Sequence, residues 1–201
     1  MFLVLAVSKG QDFSKIHQAF LAGQRAFGEN YLQEALEKIH QARLLPLSGI
    51  EWHFIGHVQM NKAKLVAENF DWVQSVDSLL LIKKLNAYRS GAPLNICLQV
   101  NISGEAQKSG VALDEVEKLA EAVRDYPNLC LRGLMAIGLD TQDVDQLHAM
   151  YAKIHVIYQR LKSHISSIDT LSLGMSQDWE IAVAEGSTMI RIGTAFFGKR
   201  S

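Results

Sequence analysis

Phe2-Leu3-Val4-Leu5-Ala6-Val7-Ser8-Lys9 opens the chain with six apolar residues in a row, then a serine and a lysine. An unbroken apolar run with β-branched members predicts a strand covered on both faces, as in parallel sheets. A lysine where such a strand ends lies beside a dry interior. Desolvation there disfavours the ammonium form, which is how proteins make a nucleophilic lysine able to form a Schiff base. Lysines at strand ends also snorkel readily into water. Lys9 alone therefore decides nothing, and the rest of the chain has to.

Outward from this strand, the pattern alternates with regularity. Phe13, Ile16, His17, Phe20 and Leu21 fall at helical spacing, and Gly23 stops that helix. Strands follow near 25–28, 50–56 and 72–76, each succeeded by a helical segment, near 31–42, 61–70 and 79–88. Asp77-Ser78 is an N-cap signal for the last of these. The second half repeats the theme with strands near 94–102, 129–137, 170–175 and 189–197, and helices near 113–125, 143–164 and 178–185. The expectation is eight strands and seven intervening helices. Strict β/α alternation implies parallel pairing through right-handed crossovers. An open doubly wound sheet and a closed barrel both fit, but eight units favour the barrel. The first turn, Ser8-Lys9-Gly10-Gln11-Asp12, also lacks the GxGxxG of a dinucleotide site. The fold class expected is α/β, a single (β/α)8 barrel spanning 1–201, with no linker, low-complexity segment or internal repeat beyond the alternation.

Composition narrows the function. The 201 residues include 20 Lys+Arg and 21 Asp+Glu, a net charge of -1, with 48% hydrophobic and 20% charged residues. That is ordinary for a globular domain. No basic excess points to nucleic acid, and no polybasic arm or long apolar stretch points to a membrane. Cys97 and Cys130 each lie inside an apolar run, without CxxC spacing. They read as reduced core residues of a cytoplasmic protein. No secretion signal opens the chain.

In a (β/α)8 barrel the chemistry sits where strands end. Reading only those ends leaves Ser8-Lys9, Glu29-Asn30-Tyr31, His53 to Lys62, Asp77, Asn101 with the loop carrying Lys108, Ser172, Ser176, and Arg191 to Thr194. Gly174-Met175-Ser176-Gln177-Asp178 closes the seventh strand and opens a helix, where Ser176 and the first N–H groups could hold a phosphate. Gly193-Thr194, in the eighth strand region, lets an anion approach the backbone. Barrels often bind phosphate between these two loops, although a plain N-cap at Ser176 and a packing glycine at Gly193 explain each feature alone. Arg191 interrupts an apolar strand on the face that carries Gly193. A charge inside a barrel needs a partner or a ligand; pointing outward to a helix is the other option. His53, between Trp52 and Phe54, reads equally as a ligand contact or a hydrogen-bonded core histidine. His53 and His57 do not converge as a metal pair, so no metal is expected. There is no GxSxG elbow and no Walker motif.

A Schiff-base lysine, a phosphate cradle and a buried arginine together describe a pyridoxal 5'-phosphate site. The aldehyde would meet Lys9 and the phosphate the turn at Ser176. Arg191 would face the pyridine nitrogen and, being always protonated, keep it unprotonated and the ring a weaker electron sink.

The same residues carry a family resemblance. Ala6-Val7-Ser8-Lys9, Phe27-Gly28-Glu29-Asn30-Tyr31, Trp52-His53-Phe54-Ile55-Gly56, Gly133-Leu134-Met135-Ala136-Ile137, Leu173-Gly174-Met175-Ser176 and Arg191-Ile192-Gly193-Thr194-Ala195 run in order from first strand to last. Together they resemble the YggS/PROSC pyridoxal phosphate homeostasis family. The resemblance implies a barrel like the amino-terminal domain of alanine racemase, with pyridoxal phosphate on Lys9. It implies phosphate contacts from Ser176, Gly193 and Thr194, Arg191 at the ring nitrogen, and Asn30 near the cofactor; His53 joins the candidate cofactor contacts. It further implies a cytoplasmic carrier or regulator of pyridoxal phosphate, without an established catalytic reaction. Pyridoxal phosphate-dependent apoenzymes are the candidate recipients, and a monomer is expected. Family members carry a helical segment before the first strand, whereas here the strand opens at Phe2, so a trimmed or unusual start is expected. Two alternatives are an amino-acid racemase and a phosphosugar-type barrel enzyme. Racemisation needs an acid/base on each face of the α-carbon. In alanine racemase-like enzymes a partner subunit's second domain helps supply the opposing one, and this chain stops at Ser201. The phosphosugar reading leaves Arg191 unexplained.

Overall fold

The computed structural model describes residues 2–103, 109–139, 141 and 143–198. Strands β1 (Leu3–Val7), β2 (Ala26–Glu29), β3 (Glu51–Phe54), β4 (Trp72–Val76), β5 (Leu94–Val100), β6 (Leu129–Ala136), β7 (Thr170–Ser172) and β8 (Met189–Ile192) pair in chain order. All pairs are parallel, and β1 meets β8 at Leu3↔Met189 through Ala6↔Ile192, which closes the barrel. Helices α1 (Phe13–Leu21), α2 (Leu32–Arg43), α3 (Ala63–Asn69), α4 (Leu79–Tyr88), α5 (Val116–Val123), α6 (Val144–Lys162) and α7 (Trp179–Ala184) follow the first seven strands. The (β/α)8 barrel expected from the alternation is what forms.

Period-2 alternation sorts each strand between two interiors. On β1, Ala6 joins the large cluster between sheet and helices, together with Phe27, Val73, Leu98 and Leu134 of other strands. Leu5 points the other way and packs with Ala26, Met189 and Ile55 inside the barrel. Trp72, Cys97 and Met135 form a second interior cluster. Both faces are covered, so the strands read as near-continuous apolar runs.

The last unit corrects the expectation. The strand expected through Phe197 ends at Ile192, and Thr194–Phe197 is a short helix, α8. Gly193 breaks the strand at φ -109°, ψ -81°, and its carbonyl accepts from the N–H groups of Phe196 and Phe197. A short apolar run such as Ala195-Phe196-Phe197 has no periodicity that separates strand from helix. Gly193 and Thr194, the N-cap and first residue of α8, therefore lie directly after β8, where a barrel keeps its ligands. Lys108 falls outside the described residues.

Candidate functional site

The barrel's strand-end face holds a cavity of about 230 Å³ lined by Lys9, Asn30, Ser176, Arg191, Gly193 and Thr194, among others. Six of the seven residues expected to hold a ligand meet there. The volume is small against the usual 300–1,000 Å³ of ligand sites, about right for a single-ring ligand.

Lys9 follows β1 in a half-buried turn, less dry than the apolar run alone suggests. The turn is pinned on both sides. Ser8 is fully buried, and its hydroxyl donates to Glu29 Oε1 at 2.6 Å. The Lys38 ammonium, from α2, donates to the Ser8 carbonyl at 2.7 Å and to Glu29 Oε1 at 2.8 Å. It also donates to Glu34 Oε1, which accepts from the Gly10 N–H at 2.6 Å. A Glu29–Lys38–Glu34 cluster thus grips the residues before and after Lys9. Burial pushes the Glu29 carboxyl above its ordinary range, against the pull of Lys38 and the Ser8 hydroxyl. Its Oε2 has no hydrogen-bond partner among the described residues.

Asn30 directly follows β2, and its Oδ1 is buried without a partner among the described residues. Gly56 explains its placement: a Cβ there would meet the Asn30 carbonyl oxygen at 2.1 Å, so only glycine lets the chain after β3 come this close.

Ser176 lies in the exposed turn between β7 and α7. The turn begins at Gly174, whose φ of +87° and contacts with Ala182 and Trp179 leave no room for a side chain. Asp178 Oδ1 accepts the Met175 N–H at 2.6 Å, and its Oδ2 accepts from the Tyr151 hydroxyl. The Ser176 and Gln177 N–H groups find no acceptor among the described residues. Opposite them stands the Gly193-Thr194 turn. Backbone donors and hydroxyls from two adjacent barrel loops suit an anion.

Arg191 points into the barrel and is 5% exposed. Nη1 donates to the Ser172 carbonyl at 2.7 Å and the Ser172 hydroxyl at 2.8 Å, and Nη2 donates to the Ala136 carbonyl at 2.7 Å. No carboxylate among the described residues lies within 4 Å of it. Burial pushes its pKa down from the ordinary value, offset by the fields of Tyr151 and Asp178. A guanidinium held by neutral oxygens keeps its full charge for whatever enters the cavity.

His53 is the correction. It is completely buried, stacks on Trp72 at 4.9 Å and does not line the cavity. Its Nδ1 meets Gln74 Nε2 at 3.0 Å, so it is a core histidine. Alternation from Ile55 puts it one layer deeper than the residues at the mouth. Conversely, Gln11 and Met135 line the cavity and were not singled out by sequence. Gln11 carries no sequence signal beyond its place in the first turn, and Met135 enters only within the 133–137 stretch of the family resemblance. Among the described residues, no group of three or more His, Cys, Asp or Glu could hold a metal ion. No helix there is long and apolar enough to cross a membrane.

A family profile described as "Alanine racemase, N-terminal domain" matches residues 3–201. The Escherichia coli protein named "Pyridoxal phosphate homeostasis protein" is 49% identical over 98% of this chain and 85% of its own. A Pseudomonas aeruginosa protein of the same name is 50% identical, over 98% and 84%. Among solved structures, PipY of Synechococcus elongatus with pyridoxal phosphate bound superposes with a TM-score of 0.88. It is 35% identical over 98% of this chain and 92% of that one. Alanine racemase from Corynebacterium glutamicum, 16% identical over 98% of this chain and 56% of its own, superposes with a TM-score of 0.70 and shares the fold. The chain belongs to the pyridoxal phosphate homeostasis proteins, within the alanine racemase N-terminal-domain family of barrels.

Proposed function

We propose that this protein is a pyridoxal 5'-phosphate-binding barrel acting in the balance of that cofactor as a carrier or regulator. When bound, pyridoxal phosphate brings a reactive aldehyde, a phosphate and a pyridine ring. The donor set at the cavity fits all three. Lys9 supplies the amine that anchors the group covalently. Ser176, Gly193 and Thr194 supply hydroxyl and N–H donors for the phosphate. Arg191 supplies a permanent cation that donates to the ring nitrogen and holds it unprotonated. Asn30 offers a carbonyl oxygen that has no other partner among the described residues.

One observation carries the non-catalytic part of the reading. Of the described residues lining the cavity, Lys9 and Arg191 alone have titratable side chains; no Tyr, His, Cys, Asp or Glu joins them. Arg191 stays protonated, so Lys9 is the single group there able to take up and return a proton. Racemisation needs one on each face of the reacting carbon. Lys9 therefore acts as a tether, with the cofactor's aldehyde end held and its ring electronically muted. The relatives' shared name and the pyridoxal phosphate held by PipY support this reading. The protein works in the cytoplasm as a monomer, with pyridoxal phosphate-dependent apoenzymes as recipients.

The test is α-hydrogen exchange. Incubating the loaded protein with single-enantiomer alanine or serine in deuterated water should leave configuration unchanged, with deuteration far slower than an enzyme's turnover. Inversion with deuteration at about 1 s⁻¹ or faster, an enzyme's range, would overturn the carrier assignment in favour of the racemase.

A further inference from the structure

We propose that Gln74 is a positioning residue for Arg191, acting through Ser172, and that this buried amide tunes the ring electronics of the bound cofactor. The inference rests on the reading of the cavity as a pyridoxal phosphate site. It concerns a line of hydrogen bonds that crosses the barrel interior from β8 through β7 and β4 to β3.

The direction of each bond follows from the donor inventory. A guanidinium only donates, so the Ser172 hydroxyl oxygen accepts from Arg191 Nη1 at 2.8 Å. The single hydroxyl proton of Ser172 must then go elsewhere, and Gln74 Oε1 takes it at 2.7 Å. That fixes the amide: Gln74 Nε2 faces His53 Nδ1 at 3.0 Å and the Met189 sulfur at 3.1 Å. A flipped amide would turn its oxygen toward a thioether that has no proton to give. His53 Nδ1 consequently accepts, and the imidazole is neutral with its proton on Nε2. Burial, which disfavours the charged ring, agrees with this. Nε2 itself lies 3.8 Å from Glu51 Oε2, outside hydrogen-bond range.

Donation therefore runs one way, from Arg191 to Ser172 to Gln74 to His53. Gln74, His53 and Ser172 are all completely buried, so water does not substitute for a missing partner. Without the Gln74 oxygen, the Ser172 hydroxyl proton has no acceptor and swings back toward the guanidinium it should be receiving. Among the described residues no carboxylate lies within 4 Å of Arg191, so this loss loosens the group facing the cavity. A polar residue this deep is expensive unless paired; the Gln74 oxygen accepts from Ser172, and its amide N–H groups face His53 and the Met189 sulfur.

The experiment compares the full chain loaded with pyridoxal phosphate with its Gln74→Met and Ser172→Ala variants, by absorbance across pH. Both should move the pH at which the bound cofactor's band titrates by about one unit, in the direction that Arg191→Glu moves it. The double variant should go no further than the larger single effect. A band that titrates as in wild type in either folded variant overturns the proposal, whatever the melting temperature does. If Gln74→Met does not fold, Ser172→Ala decides. In the protein without cofactor, the ¹⁵N shifts of His53 report the tautomer: Nδ1 unprotonated and Nε2 protonated at pH 7 supports the line, and a charged ring or the other tautomer overturns it. A wild-type chain that takes up no pyridoxal phosphate overturns the reading of the cavity and with it the tuning role, while the His53 tautomer still decides whether the line of hydrogen bonds runs as drawn.

Discussion

Lys38 shows how much of Lys9's role is set by neighbours. Its side chain is 6% exposed and its partner Glu29 is fully buried, with Glu34 closing the cluster at Gly10. Replacing Lys38 with Met keeps the volume and removes the cation, leaving a buried carboxylate unpaired, a change that costs about 3–5 kcal/mol. The sign with pH is defined. Glu29 already has a raised pKa, and losing Lys38 raises it further. A carboxyl raised in the folded state favours folding below its unfolded pKa and loses that advantage as pH rises through the folded value. Urea unfolding should thus show Lys38→Met more destabilised at pH 8 than at pH 5; equal losses at both would place the charge balance elsewhere. Lys9 was legible in the sequence because it follows an unbroken apolar run, and Arg191 because it interrupts one. Gln74 carries no such signal, because it lies beside Ser75 in a strand that is already part polar. Lys38 was not legible at all, since a lysine on a helix is ordinarily solvated.

At the level of elements, the strands and helices were readable because parallel barrels write a simple code of apolar runs and helical stripes. The element misread was the last, where Gly193 ends β8 and a four-residue helix follows. The turn after β7 depends on backbone conformation that residue pattern only hints at. Gly174→Ala forces a Cβ to 2.6 Å from the Ala182 Cβ at φ +87°. Strain of this kind costs about 1–3 kcal/mol. Calorimetry should show a lower melting temperature, by about 2–4 °C per kcal/mol for a chain of this size. The distorted Ser176 turn should also weaken pyridoxal phosphate retention in equilibrium dialysis. Unchanged retention would remove this turn from the phosphate site. His53 was ambiguous for an elemental reason: whether its side chain reaches the mouth or the layer below depends on where β3 ends, and strand ends are the least readable feature of a sequence.

For the whole molecule, the buried polar line couples stability to pH. His53 has a depressed pKa, caused first by burial. Such a group contributes stability that is present above its unfolded pKa, about 6.5, and lost as pH falls from there through the folded value. The apoprotein should therefore lose stability as pH falls below about 6.5, with part of the slope coming from this residue. His53→Gln should abolish that share of the slope in denaturant titrations from pH 7.5 to 5. The same closed barrel that buries His53 gathers Lys9, Ser176, Arg191 and the Gly193-Thr194 turn from opposite ends of the chain onto one face. The central claim is that Lys9 is where the cofactor is held. Loading the protein with pyridoxal phosphate, reducing with borohydride and mapping the modified peptide by mass spectrometry tests it directly. A single modification at Lys9, absent from Lys9→Ala, is the expected result; no uptake, or modification of other lysines with Lys9 untouched, would contradict it.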